Sequence, residues 1–435
     1  MNDKLFALKG AIIHTPDPKR FTIVDDGYLV CQNGLVQGVY EKLPGEFKDI
    51  PVRDYTGKLI IPGMADMHIH APQYGFRGLG MDLDLDSVWN TWFETYSLPE
   101  ESHYADLEYA DMAYDKFVGD LLKTTTTRLC IFGTIHRPAT ELLMDKLAEK
   151  GFAAYVGKLN MDRNSIEGLQ ETTEESLSET RKWLEETVNR HPYVKPMVTP
   201  RYTPSCTDTC MEGLQKLVEE FNVPVQSHLS EGLDEIEWVK ELKPEIEFYG
   251  QAYDMYGMLG GGVPTVMAHC VYPTDAEFEM MSRRKNLWVA HCPQSNLHSS
   301  GSGAPIRRYL EAGVHVGLGC DMAGANTLNL FRAIADATTA SKVYWAANER
   351  KGDPFAKKTY LSLSEAFYIA TKGGSSFWGK AGSFEEGSLF DAVVIDDSSL
   401  ADFNQRSVRQ RLERVVQQSD DRHVAAKFIN GRQVL

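Results

Sequence analysis

The middle of the chain, residues 62–382, alternates short apolar runs with longer amphipathic stretches. The apolar runs are typical of buried strands and read LIIPGMADMHIH, TTTTRLCIFGTIH, FAAYVGKLNMD, VKPMVTPRYT, VPVQSHLSE, PTVMAHCVYP, NLWVAHCPQSN and HVGLGCDMAG. Helical periodicity fills most of the intervals, as in residues 104–123, 174–191 and 208–221. This alternation predicts an α/β fold, a (β/α)8 TIM-type barrel. A doubly wound open sheet is the alternative, although no glycine-rich phosphate turn follows any run.

Both ends of the chain have a different pattern, with short strand-like runs and tight turns. Asn33-Gly34 lies between two apolar runs, and the segment KFINGRQVL carries a second Asn-Gly near the C-terminus. This dipeptide favours two-residue hairpin turns. The pattern predicts a small β-sandwich domain from residues 1–61 and 383–435, beside a barrel of residues 62–382.

Composition and charge limit the classes of partner. The chain has 435 residues, 43% of them hydrophobic and 24% charged, and its formal net charge is −16. A chain with this negative charge does not supply the positive surface that a nucleic-acid binder needs. No window of the sequence approaches the roughly 18 apolar residues of a membrane-spanning helix. The opening segment MNDKLFALKG lacks the layout of a signal peptide. We therefore expect a cytoplasmic protein that acts on a small neutral or cationic molecule, with no nucleic-acid or membrane partner.

Several apolar runs end in polar residues that bind metals or move protons. In chain order these are His68, His70, Arg201, Tyr202, His228, Glu231, His269, His291 and Asp321. A single histidine in an apolar strand is most often a core residue, and a single aspartate there is often a helix cap. In a barrel, however, the carboxyl ends of the strands converge on one face, where active sites are built. The joint placement of all these residues at strand ends favours such a site.

Part of this set suits a mononuclear hydrolytic metal site. His68 and His70 point to the same face of one strand because they are two residues apart. With His228 and the carboxylate of Asp321 they form a donor set that fits zinc or, as a second choice, iron. Such an ion lowers the pKa of a coordinated water to about 7. His269 is either a further ligand or a group bonded to that water, and the sequence leaves both open.

Glu231 lies three residues beyond His228, at the point where the next helix opens. An acid in the first turn of a helix stabilises that turn by interacting with the helix dipole. The position at a strand end, beside the predicted metal site, favours a role as a catalytic acid or base instead.

The motifs PGMADMHIH, SHLSE, MAHCVY, HCPQSNL and GLGCDMAG, in this order, resemble those of the amidohydrolase superfamily over almost the whole chain. The segments HIHAPQYGFRG, GKLNMDRNS and PRYTPSC are more specific and resemble the members of the superfamily that deaminate guanine. The resemblance implies one zinc ion per subunit, a purine-base substrate, hydrolysis of guanine to xanthine and ammonia, and a homodimer.

The resemblance also implies roles for individual residues. The implied metal ligands are His68, His70, His228, His269 and Asp321. The implied residues beside the substrate are Gln73, Arg201, Tyr202, His228 and Glu231. The implied catalytic residues are Glu231, which shuttles protons, together with Asp321 and His269. Tyr202 stands where members of the family often have Phe, so a role for its side chain stays open.

Two other functions also stay open. The first is another aminohydrolase of the same superfamily, acting on 8-oxoguanine, cytosine or a triazine, and Gln73 with the PRYTPS segment is the feature that distinguishes it. The second is a catalytically silent scaffold, which would be expected to lack some of the predicted ligands. Trp92 is equally compatible with stacking on a purine face and with a place in the core.

Overall fold

The computed structural model describes residues 4–83 and 88–435. Within them the strands, numbered in chain order, are β1 Leu5–Asp17, β2 Arg20–Gln32, β3 Leu35–Tyr40, β4 Val52–Pro62, β5 Met64–His70, β6 Thr126–Phe132, β7 Ala153–Gly157, β8 Leu159–Asn160, β9 Val194–Pro196, β10 Thr199–Pro200, β11 Val225–Leu229, β12 Thr265–His269, β13 Leu287–His291, β14 His315–Leu318, β15 Ala392–Ile395, β16 Val424–Ile429 and β17 Arg432–Gln433.

The α-helices of the same residues are α1 Leu98–Ser102, α2 Leu107–Leu121, α3 Arg137–Lys150, α4 Thr173–Thr187, α5 Asp208–Phe221, α6 Leu233–Leu242, α7 Gln251–Asp254, α8 Asp275–Ser282, α9 Pro293–Ser299, α10 Ile306–Glu311, α11 Leu330–Tyr344, α12 Leu363–Tyr368 and α13 Val408–Gln418. The predicted helical stretches correspond to α2, α4 and α5. Among the residues that the structure describes, no helix combines the length and the apolar character that crossing a membrane requires.

A parallel sheet of eight strands forms the centre of the molecule. Its spatial order is β11-β12-β13-β14-β5-β6-β7-β9, and every neighbouring pair is parallel. Each of the predicted apolar runs contributes one of these strands. Val198, just after β9, forms a parallel bridge to Val225 at the start of β11, which links the two edges of the sheet. The arrangement fits a TIM-type barrel rather than a doubly wound sheet with open edges.

A second sheet combines the two ends of the chain, in the order β17-β16-β15-β4-β1-β2-β3. Both Asn-Gly turns are two-residue hairpin turns, as predicted. Asn33 and Gly34 have φ of 53° and 79°, and Asn430 and Gly431 have φ of 48° and 79°. Asn and Gly tolerate this left-handed conformation. The pairings define one continuous sheet, so the two facing sheets of a sandwich stay a prediction.

Buried polar contacts join the second sheet to the amino-terminal ends of the barrel strands. Arg128 in β6 pairs with Asp391, just before β15, at 2.7 Å, and both side chains are buried. Lys427 in β16 donates to the carbonyl oxygens of Leu121 and Thr126, each at 3.0 Å. The second sheet therefore contacts the amino-terminal ends of these strands, away from their carboxyl ends.

Candidate active site

The carboxyl ends of the barrel strands bring the predicted metal-binding side chains together. His70 and His269 are the last residues of β5 and β12, and His228 lies in β11. Two overlapping groups of ligand atoms each lie within 4.8 Å of one another, and His68 belongs to both. One group is His68, His70 and His228, and the other is His68, His269, Cys292 and Asp321. Cys292 is the only member of these groups that we did not predict.

Hydrogen bonding fixes the ring of His228 so that its Nε2 carries a lone pair. Its Nδ1 donates to the carbonyl oxygen of Arg201 at 2.6 Å, which leaves Nε2 unprotonated in the neutral ring. This Nε2 lies 3.2 Å from His70 Nε2. His68 Nε2 is buried without a hydrogen bond, 3.2 Å from Asp321 Oδ1. Converging imidazole nitrogens and a carboxylate are the donors of a divalent metal site, so the residues present fit a bound metal ion.

Burial favours the neutral form of these imidazoles, which is the form that binds a metal. Burial lowers the pKa of His68 and of His269 below the ordinary value. The pKa of His70 and of His228 is lowered further, because burial is reinforced by the neighbouring His68 ring. A positively charged ring would also repel a bound cation. The lowered pKa values and the donor geometry therefore both suit a metal ion.

The two carboxylates of the site have environments that drive their pKa values apart. Glu231 Oε2 lies 3.3 Å from His269 Nε2, and its Oε1 accepts a hydrogen bond from Ser299 Oγ at 3.1 Å. Burial and the charge of Asp321 raise the pKa of Glu231 well above its ordinary value. Burial also acts to raise the pKa of Asp321, but the rings of His68 and His269 hold it well below the ordinary value. Such a difference suits one carboxylate that stays ionised and one that exchanges protons.

The backbone is strained where two of these side chains enter the site. His269 has φ of 70° and Asp321 has φ of 50°, in the left-handed region that costs a non-glycine residue on the order of 1–3 kcal/mol. Strain of this kind concentrates at functional sites, where it re-aims side chains. His269 is the last residue of β12, and Asp321 lies three residues beyond the end of β14.

A cavity of about 580 Å³, including its open mouth, lies over the cluster. Its size suits a small-molecule ligand. Its walls include all five residues that the resemblance places beside the substrate, together with aromatic and acidic residues. The lining residues are His70, Gln73, Trp92, Phe93, Arg201, Tyr202, His228, Glu231, Glu235, His269, Ser295, His298, Ser299, Asp321 and Gly324.

Gln73 and Arg201 share a partner, Glu101, that sequence reasoning missed. Gln73 Nε2 donates to Glu101 Oε1 at 2.9 Å and to Ser97 Oγ at 3.1 Å, while its Oε1 accepts from the backbone N–H of Ala323 at 2.9 Å. Arg201 forms a bidentate pair with Glu101, at 2.5 and 3.0 Å. In the segment LPEES, Glu101 resembles an ordinary acid in the first turn of a helix.

Asn296 is a second missed residue, although it lies inside the motif HCPQSNL. Its Oδ1 accepts a hydrogen bond from His269 Nδ1 at 2.9 Å, and its Nδ2 lies 3.5 Å from His291 Nδ1. His291 ends β13 as predicted but is not among the described residues that line the cavity. It contacts Asn296, which in turn hydrogen-bonds to His269.

Trp92 and Tyr202 both line the cavity, but they differ in how they contact their neighbours. Trp92 is buried, donates from Nε1 to the carbonyl oxygen of Leu79 at 3.3 Å and packs edge-on against Phe76. It is thus both a core residue and part of the cavity wall. The ring of Tyr202 lies 6.1 Å from that of Trp238, at the wall of the same cavity.

Comparison with known proteins gives full-length matches. The Amidohydrolase family matches residues 59–434. The guanine deaminase of Dictyostelium discoideum is 35% identical over 456 residues, covering 99% of this chain and 98% of that protein. The guanine deaminase of Mus musculus is 37% identical over 431 residues, covering 95% of this chain and 91% of that protein.

A solved structure agrees with these relatives. The guanine deaminase from C. acetobutylicum, with guanine bound in its active site, has a TM-score of 0.93 and 41% sequence identity to this chain. The likeness covers 99% of this chain and 100% of that one.

Proposed function

The chain belongs to the amidohydrolase family, and from this premise we propose that it hydrolyses guanine to xanthine and ammonia. The observation that carries the proposal is the placement of Gln73 and Arg201 in the wall of the cavity that also holds the histidine cluster. Guanidinium and carboxamide groups match the mixed donors and acceptors of a guanine edge. The 41% identical structure with bound guanine supports the same substrate.

The proposal includes one zinc ion per subunit, with iron as the second choice. The residues that would hold it are His68, His70, His228, His269 and Asp321, with His269 either a direct ligand or a hydrogen-bonding neighbour. When bound, the ion acts as a Lewis acid and makes water acidic enough to react near neutral pH.

Protein side chains carry the protons of the proposed reaction. Water adds to C2 of guanine, and Glu231 takes a proton from the water and gives it to ring N3. Asp321 relays the second proton to the exocyclic amino group, the C2–N bond breaks, and ammonia leaves as the C2 carbonyl forms. Ser299 orients Glu231 by donating to its Oε1 at 3.1 Å.

His269 takes part through its Nε2. Because Nδ1 donates to Asn296, Nε2 carries the lone pair of the neutral ring. This form suits a metal ligand or an acceptor of the proton of Glu231, whose Oε2 lies 3.3 Å away. Asn296 thereby fixes the tautomer of the ring, with Nε2 as the atom that binds a metal or accepts a proton.

Metal analysis and a base-specificity assay test the proposal together. We expect about one zinc ion per chain and faster loss of guanine, followed by ultraviolet absorbance, than of adenine, cytosine or 8-oxoguanine. A faster reaction with another base would identify that base, rather than guanine, as the substrate. A fully metal-loaded protein that acts on none of these bases would support the silent scaffold.

The proposal extends to architecture and assembly. We propose a closed (β/α)8 barrel over residues 62–382, which the Val198–Val225 bridge supports, and a small β-sandwich domain from residues 1–61 and 383–435. We also propose that the protein is a homodimer and lies in the cytoplasm. Light scattering after size-exclusion chromatography tests the dimer, and a mass equal to one chain would contradict it.

A further inference from the structure

Glu101 is a buried carboxylate that contacts Gln73 and Arg201, the two side chains proposed to bind the edge of guanine. It is 1% exposed. Its Oε1 accepts hydrogen bonds from Gln73 Nε2 at 2.9 Å, Ser97 Oγ at 2.9 Å and Arg201 Nη2 at 3.0 Å. Its Oε2 accepts from Arg201 Nη1 at 2.5 Å. One carboxylate therefore fixes the relative positions of an amide and a guanidinium in the cavity wall.

The contacts of Glu101 determine which way the Gln73 amide faces. A carboxamide nitrogen has two N–H groups, and Gln73 directs that nitrogen at Glu101 and Ser97. A flipped amide would place its oxygen against the carboxylate and its nitrogen against the Ala323 N–H, so both contacts would become repulsive. The oxygen already accepts from Ala323 and keeps one lone pair. The hydrogen-bonding capacity left for a ligand is thus that of an acceptor.

The same carboxylate fixes Arg201 as the donor beside that acceptor. The Arg201–Glu101 pair is buried on both sides, with side-chain exposures of 5% and 1%. A bidentate pair of this kind holds the plane of the guanidinium. Two of its five N–H groups suffice for this pair, and Arg201 is also one of the residues that line the cavity.

We propose that Glu101 is a positioning residue that makes the site select a purine with a ring N–H next to a carbonyl oxygen. Gln73, held as an acceptor, accepts a hydrogen bond from the ring N–H. Arg201, held as a donor, donates a hydrogen bond to the carbonyl oxygen. Guanine offers this pair at N1 and C6, whereas 2,6-diaminopurine offers a ring acceptor next to an amino donor and keeps the amino group at C2. The inference rests on the proposed function, because it assigns the selectivity of that same site.

Glu101→Gln tests the inference through a ratio of two substrates. The variant keeps the shape of the side chain but replaces one acceptor oxygen with a donor, which releases the orientation of Gln73. We expect the KM for guanine to rise about tenfold or more, with less effect on kcat and none on metal content. The preference for guanine over 2,6-diaminopurine, measured as a ratio of kcat/KM values, should fall by about tenfold or more.

Asp391→Asn is the matched control. It also removes the charge of a buried acid that pairs with a buried arginine, Arg128 at 2.7 Å, but at the other end of the strands. We expect it to lower the melting temperature and to leave the ratio between the two bases unchanged. If it changes the ratio as much as Glu101→Gln does, selectivity follows general stability and the inference is wrong.

Ser97→Ala keeps the inference testable if Glu101→Gln does not fold. It retains the Arg201–Glu101 pair and removes one of the two anchors of the Gln73 amide. We expect the substrate ratio to fall by about threefold to tenfold, as for loss of one hydrogen bond. An unchanged ratio in a folded variant overturns the inference while the proposed function stands. A wild-type protein that does not act on guanine instead overturns the proposed function itself.

Discussion

The side-chain oxygen of Asn296 accepts a hydrogen bond from His269 Nδ1 over 2.9 Å. This contact turns the other ring nitrogen, Nε2, toward two carboxylates, with Glu231 Oε2 at 3.3 Å and Asp321 Oδ2 at 3.9 Å. Hydrogen-bond partners behind metal-binding imidazoles orient the ring and fix its tautomer. We therefore expect Asn296, which is not among the described residues that line the cavity, to orient the ring of His269.

We expect Asn296→Ala to reduce kcat/KM for guanine, or the affinity for the metal, by about 10–100-fold, as is usual when such a partner is lost. Asn296→Asp retains an acceptor for His269 Nδ1 and should therefore lose less. Steady-state kinetics and metal analysis by mass spectrometry measure the two effects. Equal losses in the alanine and aspartate variants would show that the hydrogen bond does not orient the ring.

Glu231→Gln should retain the metal and lose turnover. The amide has the same shape and can still accept from Ser299 Oγ, which lies 3.1 Å from Oε1 in the wild type, but it cannot take up a proton from water. Loss of a general acid–base group lowers kcat by about 10²–10⁴-fold. Ser299→Ala leaves the carboxylate in place and serves as the milder comparison. A Glu231→Gln protein with wild-type turnover would contradict the role of Glu231.

Local sequence pattern was enough to predict where the strand-end histidines lie. β5 and β12 end at His70 and His269, because an apolar run that stops at a polar residue marks the point where a buried strand leaves the barrel. Glu101 could not be predicted in this way. Its partner Arg201 is 100 residues away along the chain, and helical periodicity reports burial but not the partner across a cavity.

The same limit applies to Asn296 and to the second sheet. Asn296 lies 27 residues from His269 in sequence, and nothing in its own motif distinguishes a ring-orienting amide from a helix residue. The alternation of polar and apolar residues predicts strands at both chain ends, but it does not specify which edges pair. The observed pairing of β15 with β4 joins the two ends in one sheet.

Arg201→Lys should weaken guanine binding without loss of the metal. A lysine is a point charge and cannot reproduce the two parallel bonds to Glu101, so the plane of donors in the cavity is lost. We expect the KM for guanine to rise by about tenfold or more. The metal site keeps its support, because the group that accepts from His228 Nδ1 is the backbone carbonyl of Arg201. Parallel loss of metal and turnover would indicate a folding defect instead.

Glu277 should make the folded protein less stable as the pH rises. It is buried, its Oε1 accepts from the Gly250 N–H at 2.6 Å, and its Oε2 accepts from Ser230 Oγ at 2.9 Å. Burial raises its pKa from 4.5 to about 7. Since the folded state binds the proton more tightly than the unfolded state, this contribution is complete below about pH 4.5 and is lost as the pH approaches 7. The difference corresponds to about 3 kcal/mol.

Glu277→Gln removes this pH dependence because an amide stays neutral throughout. Relative to wild type, its free energy of unfolding should rise by about 2–3 kcal/mol between roughly pH 5 and pH 8, as measured by urea denaturation of the metal-saturated protein. Glu167→Gln is the matched control, since Glu167 is exposed and its carboxylate stays in water in both states. It should show no such trend. A Glu277→Gln curve that runs parallel to wild type at every pH would mean that Glu277 is ionised in the folded protein throughout this range.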